Sequence, residues 1–196
     1  MLKIGLTGNI GSGKSIIAKI FALMQIPVYH ADDEAKKFLT DNIVIKQLTN
    51  KFGNNILTDN KIDNKKLAAI VFNNKESLIF LNQLIHPMVK TDFEKWCNSL
   101  SDSCQYAIME AAILFESGFD KYVDKIIMVT APEEIRIERI IRRDNSTREE
   151  ILKRMANQWE EDKKIKLSDF LINNDDISLL IPKVIEINKK IIISIN

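Results

Sequence analysis

Short apolar runs alternate along this chain with longer stretches of helical period. Five runs read as strands: Leu2–Leu6, Pro27–His30, Tyr106–Met109, Lys125–Thr130 and Phe170–Ile172. Between them, apolar residues recur three and four positions apart. Ile16, Ile17, Ile20, Phe21 and Met24 lie in this way on one face of a predicted helix, Ile16–Met24. Strands apolar along their whole length and separated by helices belong to a parallel sheet covered on both faces. The expected fold class is therefore α/β: a doubly wound, parallel, five-stranded sheet. Pro27 closes the first helix and opens the second strand.

The alternation breaks between the second and third strands. From about Asp33 to Leu100 no strand of a parallel sheet is evident. The pattern there predicts helices at Glu34–Leu39, Ile43–Phe52, Asn64–Phe72 and Lys75–Trp96. A second irregularity follows the fourth strand. Pro132 with Glu133 and Glu134 opens a helix running to Asp144, and Thr147-Arg148-Glu149-Glu150 is a capping box opening another through Trp159. A final helix is predicted over about Ile177–Asn188. The chain thus divides into a core (1–32, 101–135 and 165–196), a helical insertion (33–100) and a helical pair (136–164).

Residues 8 to 15 read Gly-Asn-Ile-Gly-Ser-Gly-Lys-Ser, a G-x-x-x-x-G-K-[ST] phosphate-binding loop between a predicted strand and a predicted helix, the context that gives the motif its mechanism. The chain has six glycines, and four of them are Gly5, Gly8, Gly11 and Gly13, where backbone has to wrap closely around something. Amides from about Gly11 to Ile16, taking in Ser12 and Gly13, are expected to face phosphate oxygens, aided by the positive end of the helix dipole. Lys14 is expected on the β- and γ-phosphates and the Ser15 hydroxyl on Mg²⁺. The sequence implies binding of a nucleoside triphosphate, and the pair 136–164 becomes a candidate lid.

Composition narrows the partners. The 28 basic residues nearly balance the 27 acidic ones in 196, so no global field draws the chain to nucleic acid or to a membrane. Cys97 and Cys104 lack metal-site spacing and read as reduced thiols, which points to the cytoplasm. Lys3 runs at once into the first strand, so no signal peptide is expected, and no apolar stretch is long enough to span a bilayer.

Phosphoryl transfer also needs a positioned acceptor hydroxyl and charge on the equatorial oxygens. Asp32, at the C-terminal end of the second strand, reads equally as an acid that takes a hydroxyl proton or helps hold Mg²⁺ through water, and as a helix N-cap. Asp33 is the stronger candidate for a plain cap, and Glu34 for a solvated first-turn acid. Arg139, Arg142 and Arg143 cluster on the lid helix, where arginine's planar fork suits phosphate. Arg139 and Arg143 share a face, and Arg142 is spaced to meet Glu138. His86, before Pro87 in an apolar stretch, reads first as a core residue. Glu110 and Glu116 bracket Ala111–Phe115 just past the third strand, so either could face the cleft, and Glu110 could stand on the Mg²⁺ side.

Together these segments resemble dephospho-CoA kinase over nearly the whole chain. Ile4–Ser15 is similar to that family's opening loop, Val28-Tyr29-His30-Ala31-Asp32 to its Val-Ile-Asp-Ala-Asp, and Leu84-Ile85-His86-Pro87 to its Leu-(Leu/Ile)-His-Pro. Ala112–Glu116 resembles its Pro-Leu-Leu-Phe-Glu. Arg142-Arg143-Asp144, Thr147, Arg154, Gln158 and Asp169…Ile172-Asn173-Asn174 follow its lid and last strand. The resemblance implies a P-loop kinase fold with a helical substrate lobe and lid. It implies transfer of the ATP γ-phosphate to the ribose 3′-hydroxyl of dephospho-CoA, with Asp32 at that hydroxyl and Arg143 on phosphates. It also puts His86 in the wall of the CoA lobe; Arg139 and Asn174 are further candidates at the nucleotide, and a monomer or weak homo-oligomer is expected. The chain departs from the family at His30 (for Asp), Asn9 (for Gly), Ile16 (for Thr), Ala112 (for Pro) and Asp175-Asp176 (for a small residue and Gly).

Two other readings remain: a P-loop nucleoside or nucleotide kinase, and a GTPase switch. Asn60-Lys61-Ile62-Asp63 matches a guanine-reading N-K-x-D pattern, but it falls in the helical insertion, and the sequence contains no D-x-x-G to sense a γ-phosphate.

Overall fold

The computed structural model describes residues 1–71 and 74–195. In chain order the elements are β1 (Leu2–Thr7), α1 (Lys14–Leu23), β2 (Val28–His30), α2 (Ala31–Phe38), α3 (Asn42–Phe52), β3 (Leu57–Thr58), β4 (Lys61–Ile62), α4 (Asn64–Val71) and α5 (Lys75–Asn98). There follow β5 (Tyr106–Glu110), β6 (Lys125–Thr130), α6 (Glu133–Asp144), α7 (Arg148–Ala156), α8 (Glu161–Lys166), β7 (Phe170–Asn173) and α9 (Leu180–Ile195). Phe72, the expected end of the fourth helix, lies outside the described residues. The chain forms two compact units, residues 1–30 with 96–196, and residues 31–95.

The first unit is built on a five-stranded sheet in the order β2-β5-β1-β6-β7. Every pairing in it is parallel. All five expected strands are present and the fold class is as expected. β1 lies at the centre; β2 and β5 lie on one side of it, with β5 filling the place between, and β6 and β7 are then added outward on the other. That reversal opens a crevice at the C-terminal ends of the strands, where α/β sheets bind ligands. The register brings Leu6, the last residue before Thr7 and the loop, opposite Glu110, and Glu110 opposite His30. One face of the sheet packs on α1 and α9, with Ile17, Phe21, Val184, Ile187 and Ile191 buried against Ile4, Leu6 and Ile108. Tyr106 anchors this layer by donating its hydroxyl to Asn188 Oδ1 at 2.5 Å.

Three boundaries differ from the sequence pattern. The helix expected to reach Trp159 ends at Ala156, and a further helix, α8, follows. Gln158 and Trp159 are held elsewhere by long-range bonds described below. The last helix starts at Leu180 because the Asp175 carboxylate accepts the amides of Ile177 and Ser178, folding that stretch into a turn. It then continues to Ile195, with Pro182 in its first turn, where a missing N–H is harmless. α2 starts at Ala31, so Asp32 and Asp33 lie inside its first turn and neither is the N-cap residue. Asp33 and Glu34 pair with Lys36 and Lys37 one turn on.

The second unit is helical apart from one hairpin. Asp41 caps α3 by accepting from the amides of Ile43 and Val44. α5 buries Ile85, Val89 and Phe93 along one stripe and runs through Pro87. Phe52 and Phe80 meet edge to face at 5.8 Å. The N-K-x-D segment belongs to the hairpin. Asp59 and Asn60 both take left-handed backbone (φ 51° and 59°), as a two-residue turn between β3 and β4 requires. Asp63 caps α4 through the amides of Lys65 and Lys66 and accepts from Thr58. Those bonds hold its carboxyl below the usual range. The guanine-reading pattern is thus a turn followed by a helix cap.

Candidate active site

The loop after β1 is shaped by its glycines. Gly11 (φ +83°) and Gly13 (φ +86°) are left-handed, and each is closed in by neighbours. A Cβ on Gly11 would meet the Arg136 carbonyl at 2.6 Å, and one on Gly13 would meet Asn174 Nδ2 at 2.1 Å. Asn174 is 2% exposed and donates to the Ser12 carbonyl at 2.7 Å. Asn9, the residue standing where the family has glycine, has ordinary negative φ and needs no special backbone. Two expected phosphate donors have other partners: the Ser12 amide bonds Asn9 O at 3.0 Å and the Ile16 amide bonds Gly13 O at 2.9 Å. Gly13 is the N-cap of α1 and lacks a capping side chain, so the helix's positive end is open to an anion.

At the first turn of α1, Lys14 and Ser15 turn toward the C-terminal end of β5. Lys14 Nζ lies 2.5 Å from Glu110 Oε1, and Ser15 Oγ donates to the same oxygen at 2.9 Å. His30 Nδ1 contacts the other carboxylate oxygen. Burial works against the Glu110 charge, but the Lys14 ammonium and the hydrogen bonds from Lys14, His30 and Ser15 outweigh it and hold the carboxyl below its ordinary value. The acid is therefore ionised at neutral pH and serves as counter-ion to the P-loop lysine. Ser15 Oγ and Glu110 Oε1 are hard oxygen donors, which suit Mg²⁺. Among the described residues no trio of His, Cys, Asp and Glu forms a metal cage of its own. Such a donor set fits an ion that shares substrate phosphates.

Of Arg139, Arg142 and Arg143 of α6, Arg139 reaches this region. Its guanidinium donates to the carbonyl oxygens of Gly11 and Asn174, to Asn174 Oδ1, all at 3.1 Å, and to Asp176 Oδ1 at 2.5 Å. Arg143 is largely exposed and forms a two-pronged pair with Asp144. Asp144 also accepts from Arg154, and these two arginines pull its carboxyl well below the usual range. Arg142 meets Glu138 at 3.5 Å in solvent. The Thr147 capping box is formed, as its sequence predicts.

In the second unit, Asp32 sits in the acidic first turn of α2. His86 is half-buried in α5, and burial alone lowers its pKa. The first unit thus brings Gly8–Ile16, Glu110, Arg139 and Asn174 together. Asp32 and His86 belong to the other unit, and Arg143 bonds within α6. Asp176 escapes a reading by spacing. Its φ of 60° marks a position where glycine is at home, and its carboxylate instead holds Arg139.

Comparison with known proteins identifies the family. The family described as Dephospho-CoA kinase matches residues 2–179. A Bacteroides fragilis protein named dephospho-CoA kinase is 40% identical over 187 residues, covering 95% of this chain and 91% of the relative. The Campylobacter jejuni dephospho-CoA kinase structure superposes with a TM-score of 0.70 at 28% identity, covering 96% of each chain. The Thermus thermophilus structure titled TT1252 gives 0.84 at 27% identity, covering 100% of this chain and 98% of its own. With a phosphate loop in place and a family match along most of its length, the chain belongs to the dephospho-CoA kinase family.

Proposed function

We infer that this chain transfers the γ-phosphoryl group of ATP to the ribose 3′-hydroxyl of dephospho-CoA, giving coenzyme A and ADP. One observation carries the reading most directly: Lys14 and Ser15 converge on Glu110 at the mouth of a left-handed glycine loop, in a chain matched by the family over residues 2–179. The loop and the open end of α1 receive the ATP phosphates, and Lys14 moves from Glu110 to the β- and γ-oxygens. The hydroxyl oxygen bonds to the γ-phosphorus as the bridge to the β-phosphate breaks. Asp32 takes the hydroxyl proton, and ADP carries off the negative charge of the broken bridge. Arg139 holds the nucleotide side of the loop, Arg143 turns from Asp144 to the phosphoryl oxygens, and His86 lines the CoA lobe. Ser15 and Glu110 would hold Mg²⁺, which supplies charge stabilisation at the β- and γ-phosphates.

The protein works as a monomer or weak homo-oligomer in the cytoplasm, without nucleic acid. Among the described residues no helix is long and apolar enough to cross a membrane.

Steady-state kinetics of residue variants test the assignment. Asp32→Asn is expected to lower kcat by about 10²–10⁴-fold with KM for ATP little changed. Lys14→Ala should abolish most turnover. Near-normal kcat in Asp32→Asn would remove that residue from the reaction.

A further inference from the structure

The segment between α7 and α8 is bonded to the front of the phosphate loop, in a pattern that substrate chemistry does not explain. Lys164 in α8 is fully buried and lies 2.6 Å from Glu116 Oε1. The same oxygen accepts the Trp159 amide at 2.9 Å. The Trp159 ring stacks on Phe115 at 6.2 Å, with planes 10° apart. Residues 158–164 are therefore fixed to the segment that follows β5. From this base Gln158 Oε1 accepts the Ile10 amide at 2.8 Å, and Gln158 Nε2 donates to the Ala112 carbonyl at 3.4 Å. Beside it, Asn9 Nδ2 donates to the Trp159 carbonyl at 3.3 Å. The Ile10 side chain packs on Ile137, Ile140 and Ile151 of α6 and α7.

We propose that Gln158 is a positioning residue: acting through the Ile10 amide, it holds the front half of the phosphate loop in its nucleotide-ready shape. The inference rests on reading residues 8–15 as the seat of a nucleotide. A loop with glycines at positions 8, 11 and 13 has many backbone states, and binding must select one. Tethering Ile10 makes that selection beforehand, which lowers the cost of binding and leaves the chemical step alone. The segment 157–164 is on this account a fixed abutment, while α6 and α7 carry the lid arginines.

The test uses the full chain without nucleotide and the variant Gln158→Met, which keeps length but replaces the amide oxygen with a weak thioether acceptor. In the wild type, amide hydrogen exchange followed by NMR should show Ile10 protected. In the variant, Ile10 should exchange at least about tenfold faster while β1 amides are unchanged. ADP affinity should weaken, and KM for ATP rise, by about five- to tenfold, with kcat and KM for dephospho-CoA nearly unchanged. A purely structural role would instead lower stability and active fraction at unaltered KM. An Ile10 amide that exchanges freely in the wild type overturns the proposal, and that result stands even if the variant does not fold. So does a folded variant that binds ADP as the wild type does. A wild-type chain that binds no ADP overturns the underlying reading of the loop instead.

Discussion

Replacing Glu110 with glutamine removes one negative charge from the centre of the site at constant shape. The Lys14 and Glu110 side chains are 11% and 7% exposed and lie 2.5 Å apart. Deleting one member of a buried ion pair costs about 3–5 kcal/mol. Glutamine retains a carbonyl oxygen that Lys14 and Ser15 can still reach, so the expected loss is about 2–3 kcal/mol. At about 2–4 °C per kcal/mol for a chain of this size, the apo Tm should fall by about 5–10 °C. Nucleotide phosphates return negative charge to Lys14. ADP in metal-free buffer should therefore raise the Tm of the variant more than that of the wild type. Adding Mg²⁺ should enlarge the wild-type response and leave the variant's nearly unchanged, because one oxygen donor has lost its charge. The pH dependence has a definite sign. The Glu110 carboxyl is held below 4.5 in the fold, so its contribution is present above that value and disappears as pH falls through the folded pKa. Thermal unfolding by circular dichroism, with and without ADP, EDTA and Mg²⁺, reads all of this. An unchanged apo Tm together with identical ADP responses would refute Glu110 as the lysine's counter-ion.

Three further outcomes follow from particular contacts. Gly13→Ala combines a left-handed backbone, worth about 1–2 kcal/mol, with displacement of Asn174 from Ser12, worth about 1–3 kcal/mol. The variant should lose several degrees of Tm and its calorimetric ADP binding, and wild-type binding would show that the loop has another shape. Arg139→Ala should raise KM for ATP about tenfold, since it frees Gly11, Asn174 and Asp176 at once, whereas Arg143→Ala should act on kcat with little change in apo Tm. Reversed effects on KM and kcat would exchange their roles. Burial holds His86 below its ordinary 6.5, so the fold favours the neutral ring and loses stability as pH drops below that value. His86→Asn should flatten the fall in Tm between neutral pH and about pH 5, and an unaltered slope would show that His86 does not cause it.

The parts of the fold that were legible in the sequence are those encoded locally. The phosphate loop is a run of glycines whose backbone geometry depends on residue type, and the Thr147 box depends on a hydroxyl and an acid three residues apart. All five core strands follow from their apolar runs. The Asp59-Asn60 hairpin was missed because neither turn residue is glycine and each strand has two residues, too few for a period to register. The end of α7 was overrun for a different reason. The helical pattern continues past Ala156, and what stops it is Gln158 and Trp159 bonding to residues 148 and 43 positions away in sequence. Glu110 was legible as a candidate, but its three partners required the parallel register of β1, β2 and β5. Asp176 read as a departure from the family, and its bond to Arg139 became visible only when β7 was placed beside β6.

The most direct measurement is ADP release by the purified chain with ATP and Mg²⁺, comparing dephospho-CoA with adenosine, AMP, CMP and no acceptor, and weighing the product by mass spectrometry. ADP is expected with dephospho-CoA alone, together with a product of the mass of coenzyme A. Turnover with a nucleoside or nucleotide and none with dephospho-CoA would contradict it.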